Sequence, residues 1–339
     1  MLIIIGLIIA IIVLIVANLL IGAVAIPFHG VMGVLSGGEV EREAWRVIII
    51  EARIPMIITA ALTGAALAVS GLLLQTTFNN PLADPSILGV STGASLGVAV
   101  VMLMFGGALG EIFGTVVGGY VGILVGALIG AFSILFILIV CSAVVRSATM
   151  LLIVGILFSY LASSAIALLN FFSTQQGVQS FVVWGLGNFN GVGTAQLPIF
   201  STIIILALVA TFIMIKPLNA LLLGTTYAEN LGINIKRTRN NLLLITGVLT
   251  AIATAFCGPI GFIGLVVPHM ARLLLKRSNH NILLPTTILM GVVIALVCTL
   301  ISVLPVTVGI IPINAITPII GVPVILYVIF NRRRIQYFN

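Results

Sequence analysis

Gly258–Leu275, GPIGFIGLVVPHMARLLL, is the stretch on which the number of membrane crossings turns. A transmembrane helix needs about 20 mainly apolar residues. This segment is shorter than that, and Gly258, Pro259, Gly261, Gly264 and Pro268 break it. It nevertheless leads into Arg272, Lys276 and Arg277. Basic residues near span ends collect on the cytoplasmic side. Either the segment crosses as a short span, or the basic clusters after it fall on the wrong side.

Working outward, span seven is Asn241–Phe256, span nine Ile282–Leu304 and span ten Ile313–Phe330, closed by Arg332, Arg333 and Arg334. Before them lie Leu2–Ile26, Ile54–Phe78, Ile87–Phe105, Val116–Val140, Met150–Phe172 and Pro198–Ile215 as spans one to six. Arg146 follows span four, and Lys216–Arg239 follows span six, so an inside N-terminus satisfies both. The connector with Glu39, Glu41, Arg42, Glu43, Arg46, Glu51 and Arg53 is then outside, as is Glu111. Span seven ends outside, and Arg272 returns inside only if Gly258–Leu275 crosses. Ten spans with both termini cytoplasmic fit every basic cluster; nine would put the C-terminal arginines outside.

Composition agrees. The chain has 339 residues, 61% hydrophobic and 6% charged, against about 25% charged in soluble domains. Long apolar runs without period-two alternation mean helices rather than a barrel. The net charge of +7, from 14 basic and 7 acidic residues, fits basic cytoplasmic loops rather than nucleic-acid binding. The apolar N-terminus lacks the basic start of a signal peptide and is long enough to remain as span one.

Glycine marks close helix packing. Gly118, Gly122, Gly126 and Gly130 recur every four residues along span four, and Gly89, Gly93 and Gly97 do so in span three. Such stripes let backbones approach, within the bundle rather than at a dimer face. Cys141, Cys257 and Cys298 have no metal-like spacing and read as small buried hydrophobes.

No catalytic constellation and no P-loop is present. Acids are nearly absent from span interiors, which disfavours a proton- or sodium-coupled transporter. Energy for any transport then comes from a partner. Span five carries Ser159, Tyr160, Ser163, Ser164 and Asn170 and is the leading pathway face; Gln75 ends span two. Trp184, Asn188 and Asn190 lie in the uncharged external stretch after span five, at a mouth or as interfacial anchors. Leu221–Arg239, LLLGTTYAENLGINIKRTR, is the longest polar interruption of the second half, with a short helix fitting Tyr227–Leu231. It either links two spans or docks a soluble partner.

Three blocks together carry a resemblance: Ala52–Ser95, the loop Gly224–Gly232, and Gly258–Arg272 with the tail Pro312–Pro323. They resemble the FecCD-type permease subunits of ABC importers for iron-siderophores, haem and cobalamin. The resemblance covers essentially the whole chain and implies a single permease domain of the type II importer kind, residues 1–339, with 216–240 as its cytoplasmic coupling loop. It implies a second permease copy or related permease, two ATPase subunits carrying ATP and Mg²⁺, a substrate-binding protein outside, and the bacterial cytoplasmic (inner) membrane as location. This chain itself would bind no cofactor or metal. Gly224, Ala228, Glu229, Leu231 and Gly232 match the ATPase-coupling pattern, and Asn80, Leu82, Ala148 and Thr149 match a cytoplasmic gate. Met56, Ile310 and Asn314 depart from residues that the family often has as Arg, Glu and Gly. Docking of the binding protein then falls to Arg42, Arg46 and Arg53. The rivals are an ion-coupled secondary transporter and, more remotely, an intramembrane enzyme.

Overall fold

The computed structural model describes every residue except 1, 23, 39, 105–115, 146, 305–308 and 331–339. Glu39, Glu111, Arg146 and Arg332–Arg334, used above for orientation, lie outside the described residues. The described chain is helical: α1 (Leu2–Leu20), α2 (Phe28–Leu35), α3 (Glu43–Thr77), α4 (Val90–Met104), α5 (Val116–Val144), α6 (Ala148–Phe172), α7 (Gln175–Gly185), α8 (Leu197–Ile213), α9 (Ile215–Leu221), α10 (Thr225–Asn230), α11 (Ile235–Cys257), α12 (Ile263–Leu275), α13 (His280–Ser302) and α14 (Ile313–Phe330). Six of these are long and apolar enough to cross a membrane alone. The pair α8 and α9, bent by 54°, makes a seventh candidate, and α4, α12 and α14 are shorter apolar helices.

Those ten apolar elements occupy the expected ten positions, and the hydrogen bonds show how they alternate. The ends of α3, α5 and α12 meet the starts of α11 and α13 and the helix α9. Arg239 Nη2 donates to the carbonyls of Ser142 (2.6 Å) and Val145 (3.0 Å). Arg272 donates to Gln75 Oε1 at 2.6 Å, and the His280 N–H donates to Asn219 Oδ1 at 2.8 Å. At the opposite end, Asn314 of α14 ties the carbonyls of Gly185 (3.0 Å) and Pro259 (2.6 Å), and Tyr120 of α5 donates to the Gly191 carbonyl at 2.7 Å. The segment from Gly258 to Leu275 therefore does run from one end to the other. A 13-residue helix rises about 20 Å, and the non-helical arm Gly258–Phe262 before it covers the rest. Irregular backbone at depth is tolerable because it is buried in protein.

The layout is concentric. The apolar stretch of α3 is 83% buried and that of α11 72%, whereas α1, α5 and α6 are 11%, 28% and 22% buried. Glycine makes the centre possible. Methyl groups added at Gly71 or Gly64 would overlap the carbonyls of Gly264 and Gly291. The two stripes read from the sequence face each other, Gly97 against Gly126 and Gly93 against Gly130. The helices touch backbone to backbone there, so these four glycines pack inside the bundle.

Some boundaries differ from expectation for clear reasons. The charged connector is helical from Glu43 onward, continuous with the second span. Pro55 has no N–H for the Glu51 carbonyl, and the helix loosens to a π-turn over Ile48–Arg53 just before it. Asn234 caps α11 by accepting from the Arg237 N–H at 2.9 Å; the helix thus begins six residues before Asn241. Helices α2 and α7 were not anticipated; α7 starts on the Thr174 cap. Cys257 and Cys298 are buried and Cys141 is partly so.

Candidate functional site

At the basic end, the turn after α3 is clasped by α12. Asp84 Oδ1 accepts the Ser86 N–H at 2.9 Å, and its carboxylate also takes the backbone N–H of Leu265. Leu265 lies in the first turn of α12, whose N-cap, Phe262, makes no side-chain cap. A carboxylate from another segment thus caps that helix end, where N–H groups and the helix dipole favour negative charge. Four residues on, His269 Nε2 lies 2.7 Å from the Pro81 carbonyl. Gln75, just before the turn, donates to the Leu265 carbonyl at 3.2 Å and accepts from Arg272 at 2.6 Å. The turn is held to α12 at both ends.

This places the expected gate and lining residues in different settings. Leu82 is half exposed, Thr149 is exposed, and Asn80 is partly buried with its Oδ1 accepting from the Leu82 N–H at 3.0 Å. Ala148 begins α6. Gln75, grouped with the pathway lining from its sequence position, is fully buried and belongs to the α3–α12 core. On α6, Tyr160 and Ser163 are exposed, while Ser159 and Asn170 are partly so. Ser159 Oγ is spent on the Gly155 carbonyl at 2.9 Å, beside Gly89. The exposed face thus runs through Tyr160, Ser163 and Ser164 among large apolar side chains.

The polar loop holds one short helix, α10, fixed by glycine at both ends. Gly224 has φ 100° and ψ 154°, a region essentially reserved for glycine. Gly232 has φ 81°. Its N–H bonds the Glu229 carbonyl (2.9 Å), and the Ile233 N–H bonds that of Ala228 (3.0 Å). This pair of bonds is a Schellman C-cap, which calls for glycine in the left-handed region. Ala228 is buried, whereas Tyr227, Glu229 and Leu231 are exposed. The helix rests on Ala228 and offers a mixed apolar and acidic tip. The sequence placed it at Tyr227–Leu231, two residues late.

At the opposite end the three arginines separate. Arg53 is buried, and its guanidinium donates to the carbonyls of Leu19, in the last turn of α1, and Val24, just past that helix. It closes off the end of α1, whose last carbonyls lack helical partners. Arg42 and Arg46 remain nearer the surface, Arg46 paired with Glu43 at 3.3 Å and Arg42 over the Trp45 ring. A cavity of about 250 Å³ opens here, lined by residues including Met56, Asn188, Asn190, Ser302 and Ile310. All three departures noted above cluster here, with Asn314 using both its amide groups to join α14 to the loops at Gly185 and Pro259–Gly261.

Among the described residues no group of three or more His, Cys, Asp or Glu could hold a metal ion. The site is a set of joints and faces.

Comparison with known proteins gives this arrangement its context. A model of the FecCD transport family matches residues 9–331. The vitamin B12 import system permease proteins BtuC of Salmonella typhi and Salmonella newport (strain SL254) are each 33% identical over 286 residues, 83% of this chain and of theirs. A solved structure described as an inward-facing conformation of a metal-chelate type ABC transporter is 28% identical, with a TM-score of 0.83 over 96% of this chain and 98% of that one. PsaBC from Streptococcus pneumoniae, solved with a Fab, shares the fold at 16% identity and a TM-score of 0.52, over 82% and 91% of the two chains. With the crossings, the closely packed helices and nearly the whole sequence in agreement, the chain belongs to the FecCD transport family, as a multi-pass permease subunit of an ABC importer in the inner membrane and not as an enzyme.

Proposed function

We propose that this permease, paired with a second copy or a related permease, forms the passage for a large metal chelate of the cobalamin, iron-siderophore or haem class. A substrate-binding protein delivers the chelate at the end bearing Arg42 and Arg46. Two ATPase subunits, carrying the ATP and Mg²⁺, dock on α10 within the coupling loop 216–240. Closure of the ATPase pair moves α10, and the turn at Asn80–Leu82 with the Ala148–Thr149 start of α6 gates the passage between two states. The exposed face of α6 lines it.

The observation that carries this reading is α10 itself. A six-residue helix is far too short to be stable alone, yet glycines at both ends and Ala228 beneath hold its tip outward. Exposed Tyr227 and Leu231 on a non-membrane loop fit a soluble partner's groove.

Uptake tests the proposal. Inside-out membrane vesicles holding the chain and its co-expressed neighbours are loaded with radiolabelled cyanocobalamin, ferric ferrichrome or haemin. Release from their lumen on addition of external ATP is the import direction, and right-side-out vesicles with internal ATP report the same direction as uptake. Import of one chelate that needs ATP and survives collapse of the ion gradients is expected. Import that follows an ion gradient without ATP would contradict it and favour a secondary transporter.

A further inference from the structure

The hydrogen bonds at the basic end form a connected path from the loop to the gate turn. Asn219 lies on α9, which turns 54° away from α8 and leads into α10. Its amide is oriented by two neighbours: Nδ2 faces Asn279 Oδ1 at 3.3 Å, and Oδ1 accepts the backbone N–H of His280 at 2.8 Å. The same oxygen lies 3.0 Å from His280 Nδ1. An amide oxygen only accepts, so Nδ1 carries the proton and Nε2 is an acceptor. Thr76 Oγ1 lies 3.0 Å from Nε2 and also 3.0 Å from the Leu72 carbonyl one turn back, so its single hydroxyl proton is shared between the two acceptors. Thr76 adjoins Gln75, which is bonded to Arg272 and Leu265. From there Asp84 and His269 hold the turn containing Asn80 and Leu82.

His280 is fully buried. A buried imidazole is costly unless both nitrogens are partnered, and an apolar side chain would fill the space without that cost. Its two partners belong to different bodies, α9 on one side and α3 on the other. Helix α10 meanwhile hangs from α9 through Gly224, where a methyl would meet nothing within 4 Å. Buried Ala228 and the Gly232 turn into α11 seat the far end of α10, so Gly224 is the joint at which its motion could be lost before reaching α9.

We propose that Asn219 and His280 are positioning residues of the transport cycle. They hold α9 to Thr76, so that displacement of α10 reaches the Asn80–Leu82 turn instead of being absorbed at Gly224. The inference rests on the importer reading given above.

The test uses the assembled importer in inside-out vesicles, with Leu82→Cys as reporter in a Cys141→Ser background. A water-soluble maleimide labels the reporter with and without ATP, and ATP hydrolysis is followed in parallel. ATP changes the labelling rate when Asn219 and His280 are intact. Asn219→Leu is expected to reduce that change about five- to thirtyfold, the factor set by one buried hydrogen bond, while hydrolysis continues. Asn219→Asp keeps the acceptor and restores the response. His280→Asn keeps a donor toward Asn219 but loses the reach to Thr76, and it should fail like Asn219→Leu. A full ATP response in both Asn219→Leu and His280→Asn overturns the inference. Absence of any ATP response with the pair intact removes the importer reading, and the inference with it; that result is distinct from a response lost only in the variants.

Discussion

Helices α3 and α6 are both apolar, both membrane-length and both punctuated by polar residues, yet they have opposite surroundings. The apolar stretch of α3 is 83% buried, and that of α6 is 22% buried. On α3, Thr63 meets Cys257 at 3.3 Å, Thr76 meets His280 and Gln75 meets Arg272, each joining another helix. On α6, Ser159 bonds its own helix, and Tyr160 and Ser163 face outward. Polar residues in a membrane helix thus have two uses. Those on α3 fasten the bundle, and those on α6 remain available to whatever passes or packs against them.

Overpacking the fastened region should give the largest effect. Gly71→Val puts side-chain atoms where the Gly264 backbone stands, and separating α3 from α12 costs about 3 kcal/mol or more. Loss of a monodisperse peak in detergent is expected. The same change at the exposed Ser163 should leave the peak intact; equal damage at both sites would erase the distinction between the helices.

Next comes Gln75→Leu, which removes one acceptor from Arg272 and the bond to the Leu265 carbonyl. The expected loss is about 1–3 kcal/mol, measured as a lower melting temperature of the purified permease. Gly232→Val is smaller in stability and larger in function. A β-branched residue at φ 81° strains α10 by about 1–2 kcal/mol. Membrane insertion should survive, with uptake and ATPase co-purification both lost; full uptake would remove the coupling role. Smallest in stability is Tyr160→Ala, expected within about 0.5 kcal/mol of unaltered protein but with a changed uptake rate. An unaltered rate would take α6 out of the pathway.

The contrast was only partly legible in the sequence. The crossings were, because hydrophobic length and the placement of Lys and Arg are each set by the bilayer. Even the short Gly258–Leu275 passage followed from the side on which Arg272 must lie. The glycine stripes were legible as packing, since a four-residue period gives one helix face. Gln75 could not be separated from Ser159 and Tyr160, because a polar residue in an apolar run does not disclose which neighbour it meets. Arg53 misled for the same reason: among charged neighbours it looks solvated, and only the fold brings the end of α1 beside it. His269 and His280 stand alone in their segments, and only the fold gives each its partners. Asp84 stands before Pro85, which locally marks no more than a turn; its capping of α12 joins residues too distant for any local pattern. The α10 helix was legible because its glycines act locally.

Helix α10 is the place proposed for a soluble ATPase to take hold of an otherwise lipid-embedded chain. A photo-crosslinking amino acid at Glu229, with a second preparation carrying it at the exposed Phe172, is activated in native membranes and the products are identified by mass spectrometry. A protein bearing a Gly-x-x-x-x-Gly-Lys-[Ser/Thr] motif is expected attached at Glu229 and absent at Phe172. Attachment of such a protein at Phe172 instead, or of none at Glu229 while ATP-dependent import proceeds in the same membranes, would contradict that placement.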